Sequence, residues 1–188
     1  MGGTDGRALI LLISTTHAAS MYPGLCAAYF RAVQKLADSV LDVAVRLHPA
    51  EVGMSHYAPV LSPSAIQRLR VLPPSVDLYE AILNADMVYL TNSTTCLEAM
   101  LLGTPVLFTG EGRTQGIPDY VDYPDFGGGE WCDAKDVARR CQELAHQGAE
   151  RSALIERQFK FLDMALVNRG CATKAVVNEI LSSAQKRN

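Results

Sequence analysis

An α/β fold is predicted, a Rossmann-like parallel sheet of about five or six strands with helices on both faces and a helical C-terminus, and three observations carry that prediction. Short apolar runs of strand length alternate along the chain with segments of helical periodicity. Those runs are apolar throughout, as strands covered on both faces should be, whereas a strand with one wet face would alternate. Residues 85–110 (ADMVYLTNSTTCLEAMLLGTPVLFTG) then spell a strand, a hydroxyl-rich turn, a short helix and a second strand, which is half of a nucleotide-binding α/β unit.

The elements follow in order. Residues 8–14 (ALILLIS) are the first strand and 15–24 its loop. No GxGxxG follows, which argues against a dinucleotide-binding unit of the dehydrogenase type. In residues 25–39 the apolar positions Leu25, Ala28, Tyr29, Ala32, Val33 and Leu36 lie on one helical face, that of a crossover helix on a sheet. Residues 41–47 are the second strand, and Pro49 ends regular pairing. Residues 51–64 read as polar and irregular. A short third strand, 69–72, is closed by Pro73 and Pro74, after which Ser75 is expected to cap a helix carrying Leu78, Ala81, Ile82 and Ala85. Residues 87–90 are the fourth strand. The helix 96–102 places Leu97, Met100 and Leu101 on one side, Gly103 stands where a left-handed residue belongs, Pro105 blocks continuation of the helix, and a fifth strand follows at 105–108. Residues 110–130 show no period and carry three consecutive glycines, Gly127, Gly128 and Gly129. Their glycines permit backbone rearrangement, and they are expected to form a loop that lines the cleft and is poorly ordered without ligand. Residues 134–147, 151–168 and 171–185 read as amphipathic helices.

A chain of 188 residues is long enough for one sizeable core, and residues 1–188 are read as one domain. Hydrophobic residues at 48% against charged residues at 20% exclude a disordered chain, and a net charge of −3 advertises no surface for nucleic acid. Five cysteines, odd in number and without a CxxC pair, suggest neither a disulfide framework nor a zinc site, so a reducing, cytoplasmic location is expected. Residues 8–14 are too few to span a bilayer and residues 1–7 are no basic signal sequence. No transmembrane segment is expected, and membrane association, if any, would be peripheral and come through the full-length protein. The opening MGGTDG enters a strand almost at once, which suggests a piece of a longer protein.

In a parallel sheet, ligands gather outside the carboxyl ends of the strands. Thr16 and His17 follow the first strand, Arg46 and His48 end the second, Asn92, Ser93, Thr94 and Thr95 follow the fourth, and Gly110 and Arg113 follow the fifth. A guanidinium, imidazoles and a helix N-terminus with hydroxyls beside it favour an anion. Other readings stand beside this one: Ser93, Thr94 and Thr95 as simple helix caps, Arg46 in a salt bridge, and His17 and His48 as ordinary loop histidines.

Arg46, Leu47, His48 and Pro49, a helix ending in Ala85 and Asp86, a strand, Ser93 and Thr94, Glu98 and Ala99, then Gly103, Thr104, Pro105 and Val106 resemble, in order and spacing, the C-terminal donor-binding half of GT-B glycosyltransferases. Within that fold the sequence is similar to capsule and surface polysaccharide transferases, the CDP-glycerol glycerophosphotransferases and the HP-motif sialyl- or Kdo-transferases. The resemblance covers most of residues 8–130. It implies that His48 contacts the donor phosphate, that Ser93 and Thr94 hydrogen-bond the same group, that Arg46 adds charge, and that Glu98 holds a ribose or the transferred sugar. Thr95 and Glu98 also have the spacing of a capping box, in which Glu98 would bind its own helix instead. Asp86, between a helix and a strand, reads as structural.

The resemblance further implies a nucleotide-sugar or CDP-polyol donor as substrate, no separate cofactor and no metal, there being no DxD-like motif. No catalytic base is identified beyond His48 as a candidate. The N-terminal acceptor domain of the family has no counterpart in this chain, so it is expected on the parent protein or on a partner chain, and the isolated chain is expected to be inactive. Two further readings remain open: a nucleotide-sugar epimerase of the same architecture, and a non-catalytic nucleotide-sugar-binding module.

Overall fold

A computed structural model describes residues 7–14, 23–73, 75–110, 121–146, 148–166, 170, 171, 173, 174 and 176–178. Six parallel strands form one sheet: β1 (Leu9–Ile13), β2 (Asp42–Arg46), β3 (Leu69–Val71), β4 (Met87–Leu90), β5 (Val106–Thr109) and β6 (Glu130–Cys132), in the order β3-β2-β1-β4-β5-β6. The chain builds outward from β1 to β3, then crosses back to lay β4 on the other side of β1. The strand order therefore reverses between β1 and β4, and a crevice opens at their carboxyl ends.

Alternate residues of the central strand supply opposite faces. Ile10 and Leu12 pack with Tyr29, Ala32, Val33 and Leu36 of α1 (Pro23–Ala37) and with Val137, Cys141 and Leu144 of α5 (Val137–Ala145). Leu9, Leu11 and Ile13 pack with Ala81 and Ile82 of α3 (Leu78–Leu83), Ala99 and Met100 of α4 (Thr95–Leu101), and Phe161 and Leu162 of α6 (Ala149–Ala165). All five β1 residues are buried, which is why that strand carries no polar residue.

The end of α4 follows the expected chemistry. Gly103 adopts φ +73°, its N–H donates to Met100 O at 3.0 Å, and Thr104 N–H donates to Ala99 O at 3.0 Å, the paired bonds of a Schellman stop. Asp86 is structural as expected: its Oδ2 accepts from Leu9 N at 2.8 Å, and its carbonyl accepts from Arg151 at 2.7 Å.

Four local readings are corrected. The irregular stretch 51–64 runs into a short helix, α2 (Pro63–Arg68), capped by Ser62 and started by Pro63. It also buries Tyr57 and Leu61 in the core. The cap of α3 is Asp77, whose Oδ1 accepts from Glu80 N at 3.1 Å, and not Ser75, because the helix begins two residues later than the proline pair suggests. The third correction concerns residues 121–130 of the expected loop, which form a tight 3-10 turn (Tyr123–Phe126) feeding β6, while residues 111–120 lie outside the described residues. Their glycines serve close packing: a Cβ on Gly129, at φ +121°, would stand 2.6 Å from the Phe108 ring and 2.9 Å from Val106 O. One on Gly128 would stand 2.9 Å from the Phe161 ring. The last is that α5 and α6 are shorter than the periodic stretches that predicted them. The described residues 173, 174 and 176–178 are helical, within the third helix expected at the C-terminus.

Candidate functional site

At the carboxyl end of β2 the chain turns through His48, Pro49, Ala50 and Glu51, and every amide of the turn that can donate does so. Glu51 N–H donates to His48 O at 2.9 Å, Ala50 N–H donates to His48 Nδ1 at 3.1 Å, and His48 N–H donates to Glu51 Oε2 at 2.7 Å. With Nδ1 accepting, the ring holds its proton on Nε2 and presents that nitrogen as a donor. The second carboxylate oxygen of Glu51 accepts from Ser14 Oγ at 2.7 Å, joining the end of β1 to the turn after β2.

The same network reaches the core. The Tyr57 hydroxyl hydrogen-bonds Ser14 and lies 3.2 Å from the Tyr29 hydroxyl, both rings being fully buried. Burial pushes the Tyr29 and Tyr57 hydroxyls up from their usual range, so both stay protonated and serve as neutral hydrogen-bonding groups. The Cys26 thiol is raised by burial and then by the Glu51 charge.

Arg46 turns the other way. Its guanidinium donates to Pro73 O at 3.2 Å, spanning from β2 to the segment after β3. A cleft opens there, its walls including Arg46, Leu47, His48, Glu51, Leu72 and Pro73. Among the described residues Arg46 makes no salt bridge, and it flanks the His48 turn on the side away from β4.

After β4 the turn residues Asn92, Ser93, Thr94 and Thr95 lead into α4. Thr94 is the cap residue but makes no side-chain cap bond, and among the described residues Ser93 Oγ accepts only a long bond from Thr95 N, 3.3 Å. Thr95 and Glu98 do not form a capping box, because Thr95 is already inside the helix. Among the described residues the Ser93 and Thr94 amides donate to no acceptor. Asn92 Nδ2 donates to Val121 O at 3.3 Å, tying this turn to the segment that returns to β6. Glu98 is half-buried one turn along α4, and its charge is felt by the buried Cys96 thiol, which desolvation raises to about 12.

Gly110, at the end of β5, lies against Asp133: an added Cβ would strike the Asp133 carboxylate and stand 3.3 Å from its backbone N. That glycine is explained by the close approach of the β5 and β6 ends. Thr16, His17 and Arg113 lie outside the described residues. The sheet thus brings the His48 turn and the hydroxyl turn to one edge on either side of β1, about 10 Å apart at their strand ends by two strand spacings. Glu51, Ser14 and Tyr57 were missed by sequence reasoning. A polar serine closing an all-apolar strand was the available signal for Ser14. Among the described residues no cluster of three or more His, Cys, Asp or Glu could hold a metal ion, and no helix is long and apolar enough to cross a membrane.

Neither a family model nor a curated protein matches this sequence. Solved structures do match the fold. The glycosyltransferase SnogD from Streptomyces nogalater superposes with a TM-score of 0.56 at 16% identity, over 86% of this chain and 41% of SnogD. The wall teichoic acid polymerase TagF gives a TM-score of 0.56 at 14% identity, over 98% of this chain and 45% of TagF. A structure assigned as a UDP-N-acetylglucosamine 2-epimerase from Listeria monocytogenes gives 0.51 at 13% identity, over 82% and 40%. The chain spans less than half the length of each. Its six-stranded parallel sheet and flanking helices have the Rossmann-like fold found within GT-B glycosyltransferases.

Proposed function

We propose that this chain is the donor-binding half of a glycosyl- or glycerophosphotransferase that passes a group from a nucleotide-activated donor to an acceptor hydroxyl in surface polysaccharide synthesis. The observation that carries the reading is the position of the two turns. His48 Nε2 and the Ser93–Thr94 amides and hydroxyls flank the point of strand reversal, where ligands of parallel sheets bind. An acidic ligand fits this edge, since the nearby groups are donors and the Glu51 oxygens face Ser14 and the His48 amide.

In this reading the donor diphosphate lies across the end of β1, held by His48 on one side and the hydroxyl turn on the other. The nucleoside extends into the cleft between the β2 and β3 ends, where Leu47, Leu72 and Pro73 offer apolar surface and Arg46 a cation. Charge building on the departing phosphate is stabilised by these fixed donors, which need no reorganisation as the bond breaks. The acceptor hydroxyl needs a base. This reading places the base on an acceptor-binding unit across the cleft.

The likeness to the Listeria structure supports a second reading, a nucleotide-sugar epimerase. Incubating the full-length parent with donor, with and without acceptor, separates the readings. Transfer that needs acceptor supports the first, sugar inversion with donor alone supports the second, and binding without turnover leaves a nucleotide-binding module. Calorimetry of residues 1–188 with CMP, CDP, UDP, GDP and ADP checks the shared premise, with diphosphates expected to bind more tightly than the matching monophosphate.

A further inference from the structure

We infer that Glu51 is a positioning residue for His48, holding the imidazole in place for the donor phosphate through carboxylate oxygens turned to the protein's own donors. This inference rests on the proposed donor site. A carboxylate beside an anion site opposes binding unless it has another task, because like charges so close repel. Here the task is visible. Oε2 accepts from His48 N–H at 2.7 Å and Oε1 from Ser14 Oγ at 2.7 Å, so both oxygens are turned to donors at the ends of β2 and β1. The Glu51 amide closes the same turn on His48 O at 2.9 Å.

The clamp matters because His48 stands on a four-residue turn, and the Ala50 N–H to Nδ1 bond that fixes its tautomer exists only in that turn's conformation. The clamp is anchored in turn. Ser14 is 2% exposed, and the Tyr57 hydroxyl bonded to it is shared with Tyr29 inside the core. A carboxylate reaching from a surface turn to the end of the central strand thus transmits the rigidity of the core to one imidazole. Burial is the main cause that raises the Cys26 thiol and the two phenols, and the Glu51 charge adds to it.

A double-mutant cycle on residues 1–188 tests this, using CDP and UDP as probes and thermal unfolding to confirm that each variant is folded. Glu51→Ala is expected to weaken binding by about tenfold, whereas in a His48→Ala background it should change affinity by less than about twofold. Glu51→Gln, which can still accept from His48 N–H while donating to Ser14 Oγ, should stay within about threefold of wild type. Ring-nitrogen NMR gives an independent readout: one Nε2–H tautomer for His48 in wild type and Glu51→Gln, and a mixture in Glu51→Ala. If Glu51→Ala does not fold, Glu51→Asp, too short to bridge both donors, takes its place in the cycle. Equal losses in both backgrounds, or an unchanged tautomer in Glu51→Ala, overturn the positioning role and leave the donor site standing. Unchanged affinity in His48→Ala overturns the donor site and the positioning role together.

Discussion

The two turns that flank the end of β1 are built on opposite plans. In the His48 turn each available amide has a partner within 3.1 Å, and one side chain links it through Ser14 to a buried tyrosine pair. In the Ser93–Thr94 turn the cap makes no side-chain bond, the one serine contact is 3.3 Å long, and two amides donate to nothing among the described residues. The first turn is fixed by its own hydrogen bonds, while the second leaves two amides without an acceptor among the described residues. A site for a phosphate can use both, since fixed donors reduce the reorganisation on binding and uncommitted ones gain most from it.

Four changes probe that contrast. The largest effect is expected from Gly129→Ala, which forces a Cβ to within 2.6 Å of Phe108 at φ +121° and disturbs the return segment that tethers Asn92. It should cost about 2–4 kcal/mol of stability, read by urea unfolding, and loosen the hydroxyl turn more than the His48 turn in hydrogen exchange. Next is His48→Ala, expected to weaken nucleoside diphosphate binding by about 1.5–3 kcal/mol with a smaller effect on stability, because the Ala50 N–H to Nδ1 bond it removes is local to the turn.

Replacing both Ser93 and Thr94 by alanine should cost roughly 1–2 kcal/mol of affinity but under about 1 kcal/mol of stability, since among the described residues the hydroxyls contribute one weak bond to the fold. Calorimetry and unfolding on the same variant check both halves, and a stability loss exceeding the affinity loss would make this turn a simple cap. The smallest effect concerns Cys26. Burial and then the Glu51 charge raise its thiol, so reactive thiolate is scarce at a given pH and labelling should become appreciable only at more alkaline pH. Exposed Cys171 should label first, and Glu51→Gln should modestly speed Cys26.

Legibility in the sequence followed the same division. Strands with continuous apolar runs, such as residues 87–90, and the stop at Gly103 could be read because each is set by local chemistry. Asn92, Ser93 and Thr94 could be placed at the carboxyl edge for the same reason. What could not be read was whatever depends on distant partners. Glu51 looked like a solvated loop residue until the fold brought Ser14, 37 positions away, to its carboxylate. Gln158 looked like an ordinary polar position of an amphipathic helix. It is fully buried, accepting from Val106 N at 2.9 Å and donating to Thr104 O at 3.1 Å, where it satisfies backbone groups at the entry to β5. Arg46 was placed at the correct strand end, yet its direction toward Pro73 depended on a neighbouring strand of only three residues.

The central claim is that a nucleoside diphosphate binds at the carboxyl edge across the end of β1. The most direct measurement is an NMR titration of isotope-labelled residues 1–188 with CDP and UDP, following backbone amides and the His48 ring nitrogens. The account predicts saturable shifts at His48, Ala50 and Glu51 and at Ser93, Thr94 and Thr95, with the amino edge of the sheet near Leu9 and Asp42 unmoved. Saturable shifts confined to that amino edge, or to the helix surfaces away from both turns, would contradict it.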